Sequence, residues 1–457
     1  MTTYTTTPTR IERRISGGPI RIRRRRPRIA FQNSILVRSP ASANLPYSGP
    51  SHHHRQTLHP HRTVTSAGVA AIDLRLRRRG LPVGLTVERP ATRGRLAGLD
   101  GLRGLAALFV VLHHCWLLSF PGFPVNDAPW WTGWLLYGHF AVVVFIVLSG
   151  FSLAVSPARN GWELGSARTF FQRRAWRILP PYWAALLFSL VIAWAVIPQP
   201  GQQAPTGQSA LIYGLLLQDV FGSPSPNGAM WSIAVEAQLY LVFPLMLLVL
   251  RRWGAAVMLG AVTLIVVAVG ALAPAVPAVD LLMRLTPQFA ALFAVGAVCA
   301  GVVRTPDGPD RPAWHWYALA AAAPVLLLVV AAGPVWVVGH FFWVDLAVGP
   351  AAGLLLAGVA TGRPVWLVRL LDTRPVRRLG SFSYSLYLIH APLVVMINRL
   401  VVAPHTPPGL PAFLLTLALA VPACVAAAWL FASVFELPFQ RHRSWKGLRE
   451  AVRARVR

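Results

Sequence analysis

From Leu99 onward, stretches of roughly 20 apolar residues recur along the chain, separated by polar connections. Each is long enough to cross the hydrocarbon core of a bilayer as a helix. Ten are predicted: 100–120, 134–155, 179–198, 231–250, 254–273, 284–303, 314–332, 341–361, 381–401 and 411–432. Helices are expected throughout, because open strands leave backbone polar groups unsatisfied in lipid. Residues 209–222 are apolar but short and predict a half-helix or re-entrant segment.

The connections alternate in charge. One set is basic: Arg159 to Arg177, Arg251-Arg252, Arg304 to Arg311, Arg363 to Arg378, and the tail from Arg441. The alternate set, 121–133, 199–208, 274–283, 333–340 and 402–410, has almost no basic residue. This positive-inside bias predicts that both termini are cytosolic, which requires an even number of spans. An eleventh span at 209–222 would put Arg251-Arg252 outside and is rejected. The expected fold class is therefore an all-α polytopic membrane protein of about ten transmembrane helices, in the inner (plasma) membrane.

Composition agrees. Hydrophobic residues make up 55% of the chain and charged residues only 13%, too few to cover a water-facing surface. The formal charge of +28 would suggest nucleic acid, but the basic residues lie in the tails and in alternate loops, so no nucleic-acid partner is expected. Residues 1–95, with Arg23–Arg26 and Arg77–Arg79, read as a disordered basic cytosolic tail. A membrane domain over 96–440 and a basic cytosolic tail over 441–457 complete the expected organisation. The His52–His54 run reads as a solvated tract rather than a metal site, and no bound metal or cofactor is expected. Cys115, Cys299 and Cys424 lie in apolar runs and read as core residues.

Polar residues within spans are costly and mark functional candidates. In the first span, Asp100 and Arg103 sit three apart at the cytosolic mouth, followed by His113 and His114. His114 lies about 16 Å deeper than Arg103, near mid-membrane, where a neutral imidazole suits general-base work. Ser149-Gly150 in the second span suits close helix approach, and His139 near its outer end reads as interfacial. Arg174 and Arg177 share a helix face before the third span, with Pro180 placed in the first helical turn, and suit a phosphate-bearing ligand. In Trp231-Ser232-Ile233-Ala234-Val235-Glu236, the carboxylate is placed a turn or so inside the outer face, with Tyr240 on the same side. His390 sits mid-span behind a run of hydroxyl residues starting at Ser381. Plainer readings stand beside these: a packing histidine, topological anchoring by the arginines, and a structural bond for Glu236.

Taken together, LDGLRGLAALFVVLHH, FIVLSGF, RRAWRILPPY, WSIAVEAQLYLVFPL and LGSFSYSLYLIHAPL resemble the acyltransferase 3 family of membrane O-acyltransferases, in order and spacing, over roughly residues 95–440. The resemblance implies a ten-helix bundle that moves an acyl group from cytosolic acyl-CoA to a hydroxyl of a sugar, cell-envelope glycan, lipid or macrolide. It implies His114 as catalytic base, and matches Arg103, Arg174, Arg177, Trp231, Ser232 and Glu236 to family motifs. From their placement, Arg103, Arg174 and Arg177 are expected to hold the donor, Glu236 to act as a second catalytic residue that orients an acceptor from the outer face, and Trp231, Ser232, Tyr240 and His390 to bind substrate. Two departures are expected to matter. The second span carries Val143 where many members have an acid, and residues 433–457 leave no room for the soluble domain that some members append.

The rival class is a transporter, for which midplane His and Glu would also serve, but neither internal repeats nor paired broken helices are evident in the sequence. A third reading, binding of anionic lipid by the basic tail, is compatible with either.

Overall fold

A computed structural model of the chain describes residues 96–304 and 312–456. The basic N-terminal tail and the His52–His54 run lie outside the described residues.

The described residues form helices joined by short connections, with no strand among them. In chain order they are α1 (Leu99–Ser119), α2 (His139–Arg159), α3 (Ala167–Ala195), α4 (Gly207–Gly214), α5 (Trp231–Leu272), α6 (Pro277–Met283), α7 (Gln288–Cys299) and α8 (Trp314–Gly339). There follow α9 (Phe341–Ala360), α10 (Val365–Leu371), α11 (Arg374–Ser381), α12 (Ser383–Ile397), α13 (Leu410–Phe431), α14 (Leu437–His442) and α15 (Trp445–Val456). Among the described residues eight helical segments are long and apolar enough to cross a membrane, and α6 with α7, bent by 50°, makes a ninth. The chain is thus a multi-pass membrane protein.

The ten predicted runs each find a helix, and the lower count has one cause. Helix α5 runs for 42 residues, about 63 Å if straight, or twice the hydrocarbon thickness. It is interrupted at Gly254, whose φ of 86° and ψ of 176° are not helical, so it comprises the two predicted runs meeting at that glycine. The short apolar stretch at 209–222 yields α4, eight residues opened by a reciprocal capping pair of Thr206 and Ser209.

One boundary moves. Helix α3 begins at Ala167, so Pro180 and Pro181 fall in its interior rather than in its first turn. Ser166 caps its start by accepting from the Thr169 backbone N–H. The 29 residues of α3 span about 43 Å. The prolines, which withdraw donors from the helical ladder, divide it into a basic half with Arg173, Arg174 and Arg177 and an apolar half.

The bundle is apolar outside as well as inside. Leu241, Leu245, Leu264, Ile265, Leu326, Leu327 and Trp429 are all exposed, as suits a surface solvated by lipid. In lipid, association rests on close packing rather than on water release, and small residues make it possible. Helices α2 and α7 meet that way. A Cβ built on Gly150 would strike the Phe293 carbonyl, and one on Gly296 would strike the Val147 carbonyl. Gly150→Val is therefore expected to destabilise the bundle by about 1–3 kcal/mol through overpacking. A lowered melting temperature in detergent checks this, with Gly133→Ala, which meets nothing within 4 Å, as the silent control.

Candidate active site

Helix α2 supplies one wall of a deep hollow through Val142, Phe145, Ile146, Ser149, Ser152 and Leu153, spaced three and four apart as one helical face requires. Opposite stand Arg103 of α1, Arg174 and Arg177 of α3, Ser232, Glu236 and Tyr240 of α5, and Tyr384 and Tyr387 of α12. The cavity itself is narrow, about 80 Å³, within about 750 Å³ of non-atom space that includes open solvent. From Leu153 to Val142 it runs eleven residues along α2, about 16 Å.

Three guanidinium groups share this space with one carboxylate. Arg103 donates to Ser152 Oγ at 3.3 Å and to Asp100 at 3.4 Å. Ser149 Oγ donates to Glu236 at 2.6 Å, and the Tyr240 hydroxyl donates to the same carboxylate oxygen. Arg174 keeps a buried Nε with no hydrogen-bond partner and lies over the Phe170 ring at 6.0 Å. Among the described residues neither Arg174 nor Arg177 lies within ion-pair distance of a carboxylate. Both arginines also line an adjoining hollow of about 160 Å³ with Arg173, Phe439, Gln440 and Arg443, with no acid in its lining. The C-terminal segment read as a simple tail thus contributes Arg443, beside Gln440 at the end of the membrane domain, to a continuous basic surface. Such a surface suits a polyphosphate, since planar guanidinium groups bind phosphate bidentately.

The sequence places Glu236 toward the opposite end of the bundle. In the structure its carboxylate lies with the arginines, bonded to Ser149, three residues along α2 from the Ser152 that holds Arg103.

His114 and His390 come together but do not line the hollow. His114 Nδ1 lies 3.3 Å from His390 Nε2, with ring centroids 4.8 Å apart. Their tautomers follow from their neighbours. His114 Nδ1 is 2.9 Å from the Val110 carbonyl and His390 Nδ1 is 2.7 Å from the Tyr387 carbonyl. A carbonyl only accepts, so both Nδ1 atoms carry hydrogen in the neutral rings. His390 Nε2 then accepts from His114 Nδ1–H, which leaves a lone pair on His114 Nε2 with no partner among the described residues. His113, next in sequence, is instead fixed to the Leu135 carbonyl at 2.7 Å.

Tyr387 stands between the hollow and this pair. Its hydroxyl is 2.6 Å from Ser232 Oγ and its ring is 5.6 Å from Phe145. The depth nevertheless matches. Arg103 meets Ser152, α1 and α2 run antiparallel, and His114 is eleven residues beyond Arg103 just as Val142 is ten before Ser152. The imidazole pair therefore lies level with Val142, at the end of the lining farthest from Arg103 and Ser152.

Trp231 also lies apart from the hollow, stacked on His139 with centroids 6.1 Å apart. His139 is not merely interfacial, for its Nε2 meets Asp345 at 2.9 Å. Sequence reasoning overlooked Asp345 although a signal existed, an acid inside an otherwise apolar span.

The profile of a family described as an acyltransferase domain matches residues 96–430. MdmB of Streptomyces mycarofaciens, described as an acyltransferase, is 29% identical over 67% of this chain and 81% of its own length. YrhL of Bacillus subtilis is 27% identical over 66% of this chain, which spans about half (49%) of YrhL's length. The peptidoglycan O-acetyltransferase OatA of Listeria monocytogenes is 28% identical over 35% of this chain and 26% of its own. No solved structure matches the chain significantly.

Proposed function

The chain belongs to this acyltransferase family, and we propose that it is an O-acyltransferase of the plasma membrane that moves an acyl group from acyl-CoA to a hydroxyl of a glycan. One observation carries the reading: an arginine-rich hollow reaches about 16 Å into the bundle and ends level with an imidazole whose Nε2 keeps a free lone pair. The glycan acceptor is favoured by the name of the OatA relative.

On this reading the phosphates of the donor rest on Arg174 and Arg177, with Arg103 at the neck, and the uncharged arm of the thioester extends down the hollow. Swinging of the Tyr387 ring away from Phe145 opens the way to His114. His114 Nε2 takes the acceptor's hydroxyl proton as that oxygen attacks the thioester carbonyl. The carbon–sulfur bond breaks, and the departing thiolate receives the proton from His114 to leave as free CoA thiol. His390 holds the His114 ring in the tautomer that leaves Nε2 open. Glu236, held by Ser149 and Tyr240, limits the positive charge of the neck and fixes its geometry.

Membranes carrying the chain, given labelled acetyl-CoA and a glycan acceptor, are expected to release CoA thiol and label the acceptor only when both substrates are present. Solute counterflow with the thioester intact would instead identify a transporter and end this reading.

A further inference from the structure

Beyond the Val142 end of the hollow lies a second polar cluster, built from the first turns of four helices. His139 opens α2, Trp231 opens α5, Gln288 opens α7, and Asp345 lies early in α9. Asp345 is fully buried and receives three polar contacts: His139 Nε2 at 3.0 and 2.9 Å, one to each oxygen, and Gln288 Nε2 at 3.3 Å. A carboxylate so enclosed is stabilised by the N-terminal ends of the helices around it. Rings of Phe341 at 4.2 Å, Trp231 at 6.1 Å and Phe289 at 6.1 Å surround the imidazole.

Two acceptor atoms remain unused. With Nε2 donating to Asp345, His139 Nδ1 carries a lone pair and has no partner among the described residues. The His139 side chain is 18% exposed, whereas that of Asp345 is 0%. Gln288 is 2% exposed, and its Oε1, turned away from Asp345 by the bond its amide nitrogen makes, is buried with no partner. Thr286, two residues earlier, holds a left-handed φ of 48° and also buries an unpartnered hydroxyl. A β-branched residue in that region is strained, and such strain collects at ligand sites. Buried polar atoms without partners are rare in native proteins, and here two, Gln288 Oε1 and Thr286 Oγ1, lie two residues apart on the segment that meets the buried carboxylate.

The cluster adjoins the donor hollow end to end. Trp231 faces the cluster while its neighbour Ser232 lines the hollow. On α2, His139 is one turn from Val142, which lines the hollow.

We propose that this cluster is the acceptor subsite, and that it takes a polyhydroxylated group. One hydroxyl donates to His139 Nδ1, a second donates to Gln288 Oε1, and an apolar ring face lies on Trp231. Asp345 is a positioning residue that fixes the His139 tautomer. The assignment rests on the reading of the arginine hollow as the donor site, and the two are separable by experiment.

His139→Gln is the discriminating variant. Glutamine can place an amide N–H where Nε2 stands, which keeps the bond to Asp345, and it puts nothing at Nδ1. The probe is methyl glucoside, added without donor to the purified full chain in nanodiscs. It is expected to raise the melting temperature of the wild type and to leave that of His139→Gln unchanged. In the transfer assay with labelled acetyl-CoA, the same variant is expected to raise the KM for methyl glucoside at least tenfold, with the KM for acetyl-CoA unchanged. Gln288→Leu is expected to shift the same constant in the same direction. Failure of methyl glucoside to stabilise the wild type, or equal stabilisation of wild type and variant, overturns the subsite. Stabilisation with no consumption of acetyl-CoA overturns the donor reading instead. A variant that loses its folded melting transition without ligand would show His139 to be structural only and would likewise overturn the proposal.

Discussion

Replacing His114 with alanine is expected to lower kcat for acyl transfer by about 10²–10⁴-fold, the usual worth of a positioned general base. The affinity for acyl-CoA should hardly change, because the arginines proposed to hold its phosphates group with Arg103, which lies eleven residues, about 16 Å, from His114 along α1. The argument rests on the tautomer. Nδ1–H is committed to Val110 and His390, so Nε2 is the only basic position the ring can offer. His390→Ala should lower kcat less than His114→Ala, because it frees the ring without removing it, and His390→Gln should recover part of the loss by restoring an acceptor beside Nδ1. Single-turnover rates at saturating donor make the measurement. A His114→Ala protein that transfers acyl groups at the wild-type rate would remove His114 from the chemistry.

The second large effect falls on binding. Charge-assisted hydrogen bonds are worth about 1.5–3 kcal/mol each. Loss of Arg174 or Arg177 is therefore expected to weaken acyl-CoA binding about tenfold to hundredfold, nearer the lower figure because the hollow is open to solvent and screened. Arg177→Lys should recover only part of the loss, since an ammonium cannot reproduce the fork that grips phosphate. Raising the ionic strength should weaken donor binding to the wild type more steeply than to the double variant. Isothermal titration with a non-hydrolysable acyl-CoA analogue reads both effects. Undiminished affinity in the double variant would return these arginines to a topological role.

Much of the framework was legible because lipid restricts the choices. Apolar run length gave every span, and the α5 break falls at Gly254, where two predicted runs meet. The start of α3 was misread because a proline pair suggests a helix beginning, while the basic turns before it are helical too. The site was legible as a list of residues but not as an arrangement. Arg103, Arg174, Arg177, Ser232, Glu236 and Tyr240 share one hollow, but their depths depend on helix tilt, which sequence does not carry. That is why the grouping of Glu236 with the arginine side chains was not foreseen. Ser149, read as a packing residue, is its hydrogen-bond partner. The pairing of His139 with Asp345 joins positions 206 apart in sequence. No local pattern announces such a contact, although the acid in the apolar run of α9 was a visible clue.

On the proposed reading the hollow would thin the electrical insulator. With about 16 Å of it filled by water and donor, out of about 30 Å of hydrocarbon, the resting membrane potential would fall mainly across the layer beyond Val142 and Tyr387. Moving a unit charge through that layer would cost or release about 2.3 kcal/mol per 100 mV. The proposed chemistry avoids the toll, because the nucleotide's charges stay on the arginine side and only a neutral acyl group passes on. Catalysis by such an arrangement would run at the same rate in energised and de-energised cells.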